Sequence, residues 1–570
     1  MSGPRPPAER GADLLLGAYL DYRADLAALT RAAAGHFARR DWAAAHDDAV
    51  ERLAVYRRRL DAAIAGLGDL FGDALRRKPA WRELKAAFRP RAGELIDGEL
   101  AETFFNSATR RVFSTDGIDP EIEFVSPTAS LPEASAGAEE CDHFPCAAGL
   151  EALLRDLLDR HRPGCGWEDL ERDVALGAEA IRRAFPGREI SGAELVRSPF
   201  FRGQGAYLVG RLLGPGLHQP LLLALTNPGG SVRLDAVLTA EDEVSIVFSF
   251  TRSYFFVEAR RPAALVRFLK AIMPRKPVAE LYNSLGFNKH GKTEHYRALL
   301  HHLESTDARF VIARGERGMV MVVFELEGFD SVFKIIRDRF EYPKSTTRAE
   351  VMGKYRLVFE HDRAGRLVDA QEFEHLVFAR ERFAPDLLDE LAAKTSGTVR
   401  IEADAVHFDH LYTERRLVPL DVYLREAPPE AAGAAVLDFG QTLRDLAATD
   451  IFPGDLLLKN FGVTRHHRVV FYDYDELCRV TDCSFRDLPT PATDEEETAG
   501  EAWFYVDEKD IFPEEFIRFF GIPAPLRETF LAAHRDLLRA SFWRALQEDH
   551  RRGVYHDVLP YAESRRLHRG

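Results

Sequence analysis

Cysteine is scarce in this sequence: Cys141, Cys146, Cys165, Cys478 and Cys483 are the five in 570 residues. That excludes a disulfide-stapled secreted scaffold, which needs far denser cysteine. Cys141, His143, Cys146 and Cys165 lie near one another but match no strong zinc spacing, so ordinary reduced thiols are expected. Long apolar runs are missing too. No window holds the roughly 18 uncharged apolar residues of a membrane span. The N-terminus, MSGPRPPAER, has no apolar signal core. The chain is therefore expected to be soluble and cytoplasmic. Positive charge is in deficit: 76 Lys and Arg against 91 Asp and Glu give a formal net charge of -15. This argues against non-specific binding to nucleic acid or to an acidic membrane surface.

What is present points to a large protein with more than one core. Hydrophobic residues make up 46% of the chain, and its length favours more than one domain. From about Ala8 to Gly98, Ala, Leu and Arg recur at helical spacing. In HDDAVERLAVYRRRLDAAIAGL apolar positions return every three or four residues, as an amphipathic helix requires. A Ser-, Pro- and Ala-rich stretch from Ser126 to Ala148 reads as a surface loop. After a further helical stretch to about Phe185, AYLVGRLL, QPLLLALTNPGG, VSIVFSF and SYFFVEAR read as β-like, with Asn227-Pro228-Gly229-Gly230 as a turn. Helices resume through ALVRFLKAIM and TEHYRALLHHLEST. No internal repeat is visible.

From about Asp307 the pattern changes to strand, tight turn, strand. The turn Ala313-Arg314-Gly315-Glu316-Arg317-Gly318-Met319 holds two glycines, which let a backbone approach a phosphate; a plain hairpin turn has the same look. Lys334 follows in a strand, either facing that turn to pair with phosphates or facing solvent. VHFDHLYTERRLVPLDVYL reads as strand, connector and helix start. AAVLDFGQTLRDLAA is a helix with Val436, Phe439, Leu443 and Leu446 on one face. Then IFPGDLLLKNFGV places Asp455 five residues before Asn460, either as a catalytic loop or as a polar turn. The turn RHHR folds VVFYDYDE back on FGV, so Asn460 and Asp473 come to one hairpin mouth, with Asp475 beside them. An amide and a carboxylate supply the hard oxygen ligands that magnesium prefers.

Glycine turn, strand lysine, connector, helix, Asp-x4-Asn, hairpin, Asp is the order of parts in a protein kinase. The fold class expected is therefore α+β, with a mainly helical N-terminal domain (1–306, including a small β region), which the resemblance given below implies to be regulatory, and a bilobal protein-kinase-like catalytic domain (307–570). The usual GxGxxG, HRD, DFG and APE strings are absent. Glu350, on the helix TRAEVMGKYRLVFEHD, is the candidate partner acid for Lys334.

FFNSATRRVF, AYLVGRL, YPKSTTRAEV, HDRAGRLVDAQEF, LYTERRLVPL, GDLLLKNFGV and FYDYDE together resemble the bacterial isocitrate dehydrogenase kinase/phosphatase family over nearly the whole chain. The resemblance implies a bifunctional enzyme. It would phosphorylate a serine of isocitrate dehydrogenase and remove that phosphate, directing isocitrate between the citric acid cycle and the glyoxylate bypass. It implies ATP or ADP with magnesium (manganese as a substitute) at one site, and AMP as an allosteric effector. Homodimer formation stays open. By resemblance the nucleotide loop falls on Ala313 to Met319 (Ala313, Arg314, Gly315, Glu316, Arg317, Gly318, Met319) and the ATP lysine on Lys334. The catalytic-loop pair falls on Asp455 and Asn460, and the metal aspartate on Asp473, with Asp475 close by. The phosphatase-critical aspartate falls on Asp369. Arg314, Glu316 and Arg317 depart from the family's Ala-Pro-Gly-like loop. A small-molecule phosphotransferase and a non-catalytic pseudokinase scaffold remain the alternative readings.

Overall fold

The structure is a computed structural model and describes residues 5–125, 140–250, 254–342, 344, 346–361, 363–489, 504–507, 509–556 and 558–568. Contacts divide the chain into two compact units. The first comprises Met1–Asp307, His375–Val377 and Leu559–Gly570; the second comprises Ala308–Glu374 and Phe378–Val558.

In the first unit the long helices Pro7–Arg39 and Trp42–Phe71 pack on each other. Their apolar stripes bury Leu15, Tyr19 and Leu26 from one and Val55, Ala63 and Leu67 from the other. Asp41 starts the second helix by accepting from Ala44 N at 3.2 Å, which satisfies one of its orphan amides. A six-stranded sheet follows: β1 (Cys141–Pro145), β2 (Gly192–Val196), β3 (Phe200–Arg202), β4 (Gly205–Gly214), β5 (Leu217–Thr226) and β6 (Arg233–Leu238). Its order is β1-β2-β4-β5-β6, with β3 on β4.

Three local readings need revision. Cys141–Pro145 is a strand, not the end of a loop, because it pairs antiparallel with β2; residues 126–139 lie outside the described residues. VSIVFSF has a β-like composition, but Glu241–Val247 is a helix. Three acids in its first turn favour the positive helix N-terminus, and Glu243 Oε2 accepts from Ala240 N at 3.3 Å. SYFFVEAR contributes only the isolated bridge Phe201–Phe256. Cys141, Cys146 and Cys165 are free. Among the described residues, no group of three or more His, Cys, Asp or Glu is arranged to hold a metal ion. No described helix is long and apolar enough to cross a membrane.

The second unit opens on a sheet built from β7 (Phe310–Ile312), β8 (Met321–Leu326), β9 (Ser331–Ile336), β10 (Ala370–Ala379), β11 (Val399–Ile401) and β12 (Ala405–Arg415). The order is β10-β12-β9-β8-β7, with β11 on β12. The helix Arg348–His361 follows β9. After β12 come β13 (Val418–Pro419), helix Leu420–Glu426 and helix Pro429–Ala448, then β14 (Phe461–Val463) and β15 (Val469–Phe471). Val436, Phe439, Leu443 and Leu446 form the buried face of the long helix, as their spacing predicts. They pack with Phe461, Phe471, Phe520 and Phe530 in one core.

Candidate active site

Lys334 lies inside β9, and it is buried. A buried ammonium requires a partner, and the sheet register supplies one. Lys334 faces Tyr412 across the β9–β12 pair. Glu414, two residues on, therefore shares that face and comes within diagonal reach. Lys334 Nζ meets Glu414 Oε2 at 2.7 Å and donates to Tyr472 O at 2.8 Å. Glu414 also accepts from Tyr355 Oη at 3.1 Å. Burial pushes the Glu414 carboxyl up; Lys334 opposes that push and the charge of Asp369 adds to it. Glu350 is not the partner. It caps its own helix, accepting from Thr347 N at 2.7 Å, while Thr347 Oγ1 accepts from Glu350 N at 3.3 Å.

The loop Ala313–Met319 joins β7 to β8. Gly315 has φ 118, a left-handed conformation that favours glycine. Each charged residue that departs from the family pattern has a partner: Arg314 with Glu426, Glu316 with Lys459 at 3.1 Å, and Arg317 with Glu390 at 3.4 Å. All three loop side chains are exposed, so these pairs bias loop position and add little stability.

Asp455 follows Gly454, whose φ is 80. A Cβ at Gly454 would lie 2.4 Å from Glu476 O, so only glycine lets this loop lie against the chain beyond Asp475. Phe452 and Cys478 reinforce the contact with a reciprocal backbone pair at 2.8 and 3.0 Å. Asp455 is half-buried, and its Oδ1 accepts from Leu457 N at 3.1 Å. Asn460 is buried and donates from Nδ2 to Asp455 O at 3.3 Å. Asp-x4-Asn is thus a folded unit and not a turn in water.

The hairpin forms as its sequence suggests. Phe461 pairs with Phe471 and Val463 with Val469, and Tyr472 N donates to Asn460 O at 3.1 Å. That register brings Asn460 beside Tyr472, next to Asp473 at the strand exit. Burial, then the adjacent Asp475 carboxylate, push Asp473 up to about 7, against the pull of Lys334 and Lys344. Two neighbouring carboxylates that repel each other, with Asn460 tied to Tyr472 next to them, bring together residue types suited to a hard divalent cation. Among the described residues no three acids converge, and such an ion would need phosphate or water oxygens to complete its shell.

Asp369 leads into β10. Gln371 Nε2 donates to its Oδ2 at 2.8 Å. Leu367 bridges Phe471 in parallel, so the Asp369 segment runs beside the strand that leads to Asp473. Glu414, Tyr355 and Lys344 escaped the sequence reading. Lys344 Nζ lies 3.1 Å from Asp475 Oδ2 and also pairs with Glu476. Strand alternation marks Glu414 as facing inward, but only the register names its partner. Lys344 had no local signal beyond its place in YPKSTTRAEV.

Fixed positive charge on Lys334, loop amides, an acid–amide pair and a cation-suited hairpin mouth make a site able to position phosphate groups. Residues 308–563 match the family model of the isocitrate dehydrogenase kinase/phosphatase (AceK) kinase domain, and residues 12–307 match that of the regulatory domain. Among curated relatives, "Isocitrate dehydrogenase kinase/phosphatase" of Anaeromyxobacter sp. (strain Fw109-5) is 50% identical, with 100% of each chain covered. The protein of the same name from Anaeromyxobacter dehalogenans (strain 2CP-C) is 48% identical over 98% of each chain. That from Xanthomonas axonopodis pv. citri (strain 306) is 42% identical over 96% of each. The chain belongs to the isocitrate dehydrogenase kinase/phosphatase family.

Proposed function

We propose that this protein phosphorylates a serine of isocitrate dehydrogenase with ATP and removes that phosphate again, so setting flux between the citric acid cycle and the glyoxylate bypass. The second unit acts as a bilobal, atypical protein-kinase-like domain, and residues 1–306 act as the regulatory domain, with AMP as its effector. The enzyme works in the cytoplasm, as a homodimer. The observation that carries the catalytic reading is the buried Lys334–Glu414 pair beside the hairpin mouth of Asn460 and Asp473.

Lys334 and the amides of Ala313–Met319 neutralise and position the nucleotide phosphates. Asn460 and Asp473, with Asp475 adjacent, would hold Mg2+, which supplies charge neutralisation between those phosphates when bound. Asp455 orients the serine hydroxyl and takes its proton. Asp369 serves the reverse reaction by holding the attacking water. The chemistry needs placement and charge more than covalent participation, so one site can serve both transfer from ATP to the serine and hydrolysis of the phosphoserine to inorganic phosphate.

The test is incubation with γ-labelled ATP, magnesium and purified isocitrate dehydrogenase. Label on the dehydrogenase is expected. ATP turnover without labelled protein would favour a small-molecule phosphotransferase, and no turnover a non-catalytic scaffold. Asp455→Ala should lower kinase turnover by roughly two to four orders of magnitude while nucleotide still binds; unchanged turnover would remove Asp455 from this role.

A further inference from the structure

Tyr474 stands between Asp473 and Asp475, yet its hydroxyl donates to Val368 O at 2.7 Å, the carbonyl immediately before Asp369. It is fully buried, and its ring packs edge-on to Tyr355, with centroids 5.1 Å apart. A second tie lies three residues upstream of Asp369. The Arg366 guanidinium is buried and meets Asp438 through two nitrogens at 2.8 and 2.9 Å, Asp445 at 2.7 Å and Val469 O at 3.1 Å. The Arg366 carbonyl accepts from Phe471 N at 2.7 Å, and Val368 N donates to Phe471 O at 3.2 Å. The segment before Asp369 is thus fastened to the strand before Asp473 by backbone bonds, by a buried cation and by one tyrosine hydroxyl.

We infer that Tyr474 is a positioning residue for Asp369, and that its hydroxyl serves the phosphatase direction selectively; Arg366 holds both the Asp369 connector and β15 and is not selective. The asymmetry follows from what else holds each aspartate. Asp473 extends from β15, which pairs with β14, and Val469 N is tied to Asp438 at 2.6 Å. Tyr474 Oη reaches this strand only by a longer contact to Phe471 O at 3.4 Å, against 2.7 Å to Val368 O, so its hydrogen bond is directed to the Asp369 connector. Asp369 sits on a connector whose upstream fastening is this set of bonds, together with Gln371 downstream. Removing the hydroxyl leaves Val368 O without its 2.7 Å donor and loosens the carboxylate that must align water to within a fraction of an ångström.

The inference rests on Asp369 acting in the reverse reaction. Its test is Tyr474→Phe in the full-length enzyme, assayed in both directions with substrate dependence. Phosphatase kcat should fall about tenfold, the equivalent of one buried hydrogen bond, with KM for the phosphorylated dehydrogenase unchanged. Kinase kcat should stay within about twofold, and hydrogen exchange at the Val368 amide should accelerate. Equal loss of both activities, or no change in either, overturns the inference. Asp369→Ala separates the two levels. If it retains phosphatase activity, the role of Asp369 itself falls; if it loses phosphatase activity while Tyr474→Phe does not, only the positioning inference falls.

Discussion

Glu350 and Glu414 both follow Lys334 in sequence, and only Glu414 reaches it. Glu350 has the helix position that a reader of kinase motifs would choose, but its carboxylate is spent on the helix N-terminus. Glu414 reaches Lys334 through the antiparallel register of β9 and β12, a pairing of residues 80 positions apart that local pattern cannot reveal. The two substitutions should therefore separate. Glu350→Ala should lower stability only slightly, by removing the N3 member of the capping box, and leave kinase kcat/KM near the native value. Glu414→Ala should lower kinase kcat/KM by at least about tenfold, because it leaves Lys334 buried without its counter-charge. Steady-state kinetics with varied ATP, alongside thermal unfolding, check both. Gly454 was equally silent in the sequence: its need is set by Glu476 O, a contact made only after folding.

At the scale of elements, the parts with strong period were legible. The helix Pro429–Ala448 buries the four residues that its spacing marks, and the RHHR turn closes the hairpin in the register that joins Asn460 to the Asp473 strand. Elements set by tertiary context were not legible. Val244, Ile246, Val247 and Phe248 have strand-like composition, but the acids before them and burial of Val244 and Val247 make a helix. The helix Asn288–Ser305 carries a consequence for pH. Its His290 is buried, and Nδ1 contacts Thr103 Oγ1 of helix Gly98–Val112 at 2.7 Å. Burial, with a smaller push from Arg297, lowers His290 to about 3. Glu294, 3.7 Å away, does not reverse this; it is engaged with Arg297 at 2.5 Å. The folded state therefore excludes a proton that the unfolded chain binds below about 6.5. Unfolding takes up that proton, so stability is held above pH 6.5 and lost as pH falls towards 3. Between pH 7 and pH 5 the loss from this one group should be about 2 kcal/mol. Denaturant unfolding across that range should show it, and His290→Gln should flatten the slope.

At the scale of the whole molecule, the chain ends by returning to its first unit. Residues 559–568 follow the kinase-domain helices, yet Leu567 N donates to Asp235 O at 2.7 Å and Arg566 bridges to Ala236 in β6. No hydropathy or motif pattern announces this, since the tail is short, polar and helpless without the sheet it joins. The attachment is electrostatic and buried. Asp235 is fully buried and is held by Arg566 at 3.0 Å and by Tyr561 Oη at 2.8 Å. Asp173, also fully buried, receives His568 Nε2 at 3.0 Å and Leu234 N at 2.8 Å. Coulomb attraction in such a place roughly offsets desolvation while both partners are present, and the imbalance appears when one is removed. Arg566→Ala should therefore destabilise the first unit by about 3 kcal/mol, seen as an earlier thermal transition and faster exchange of the β6 amides. Arg566→Met combined with Asp235→Asn removes both charges and should recover a large part of that loss. If the double variant is no more stable than Arg566→Ala, the tail holds by packing and not by its buried ion pair.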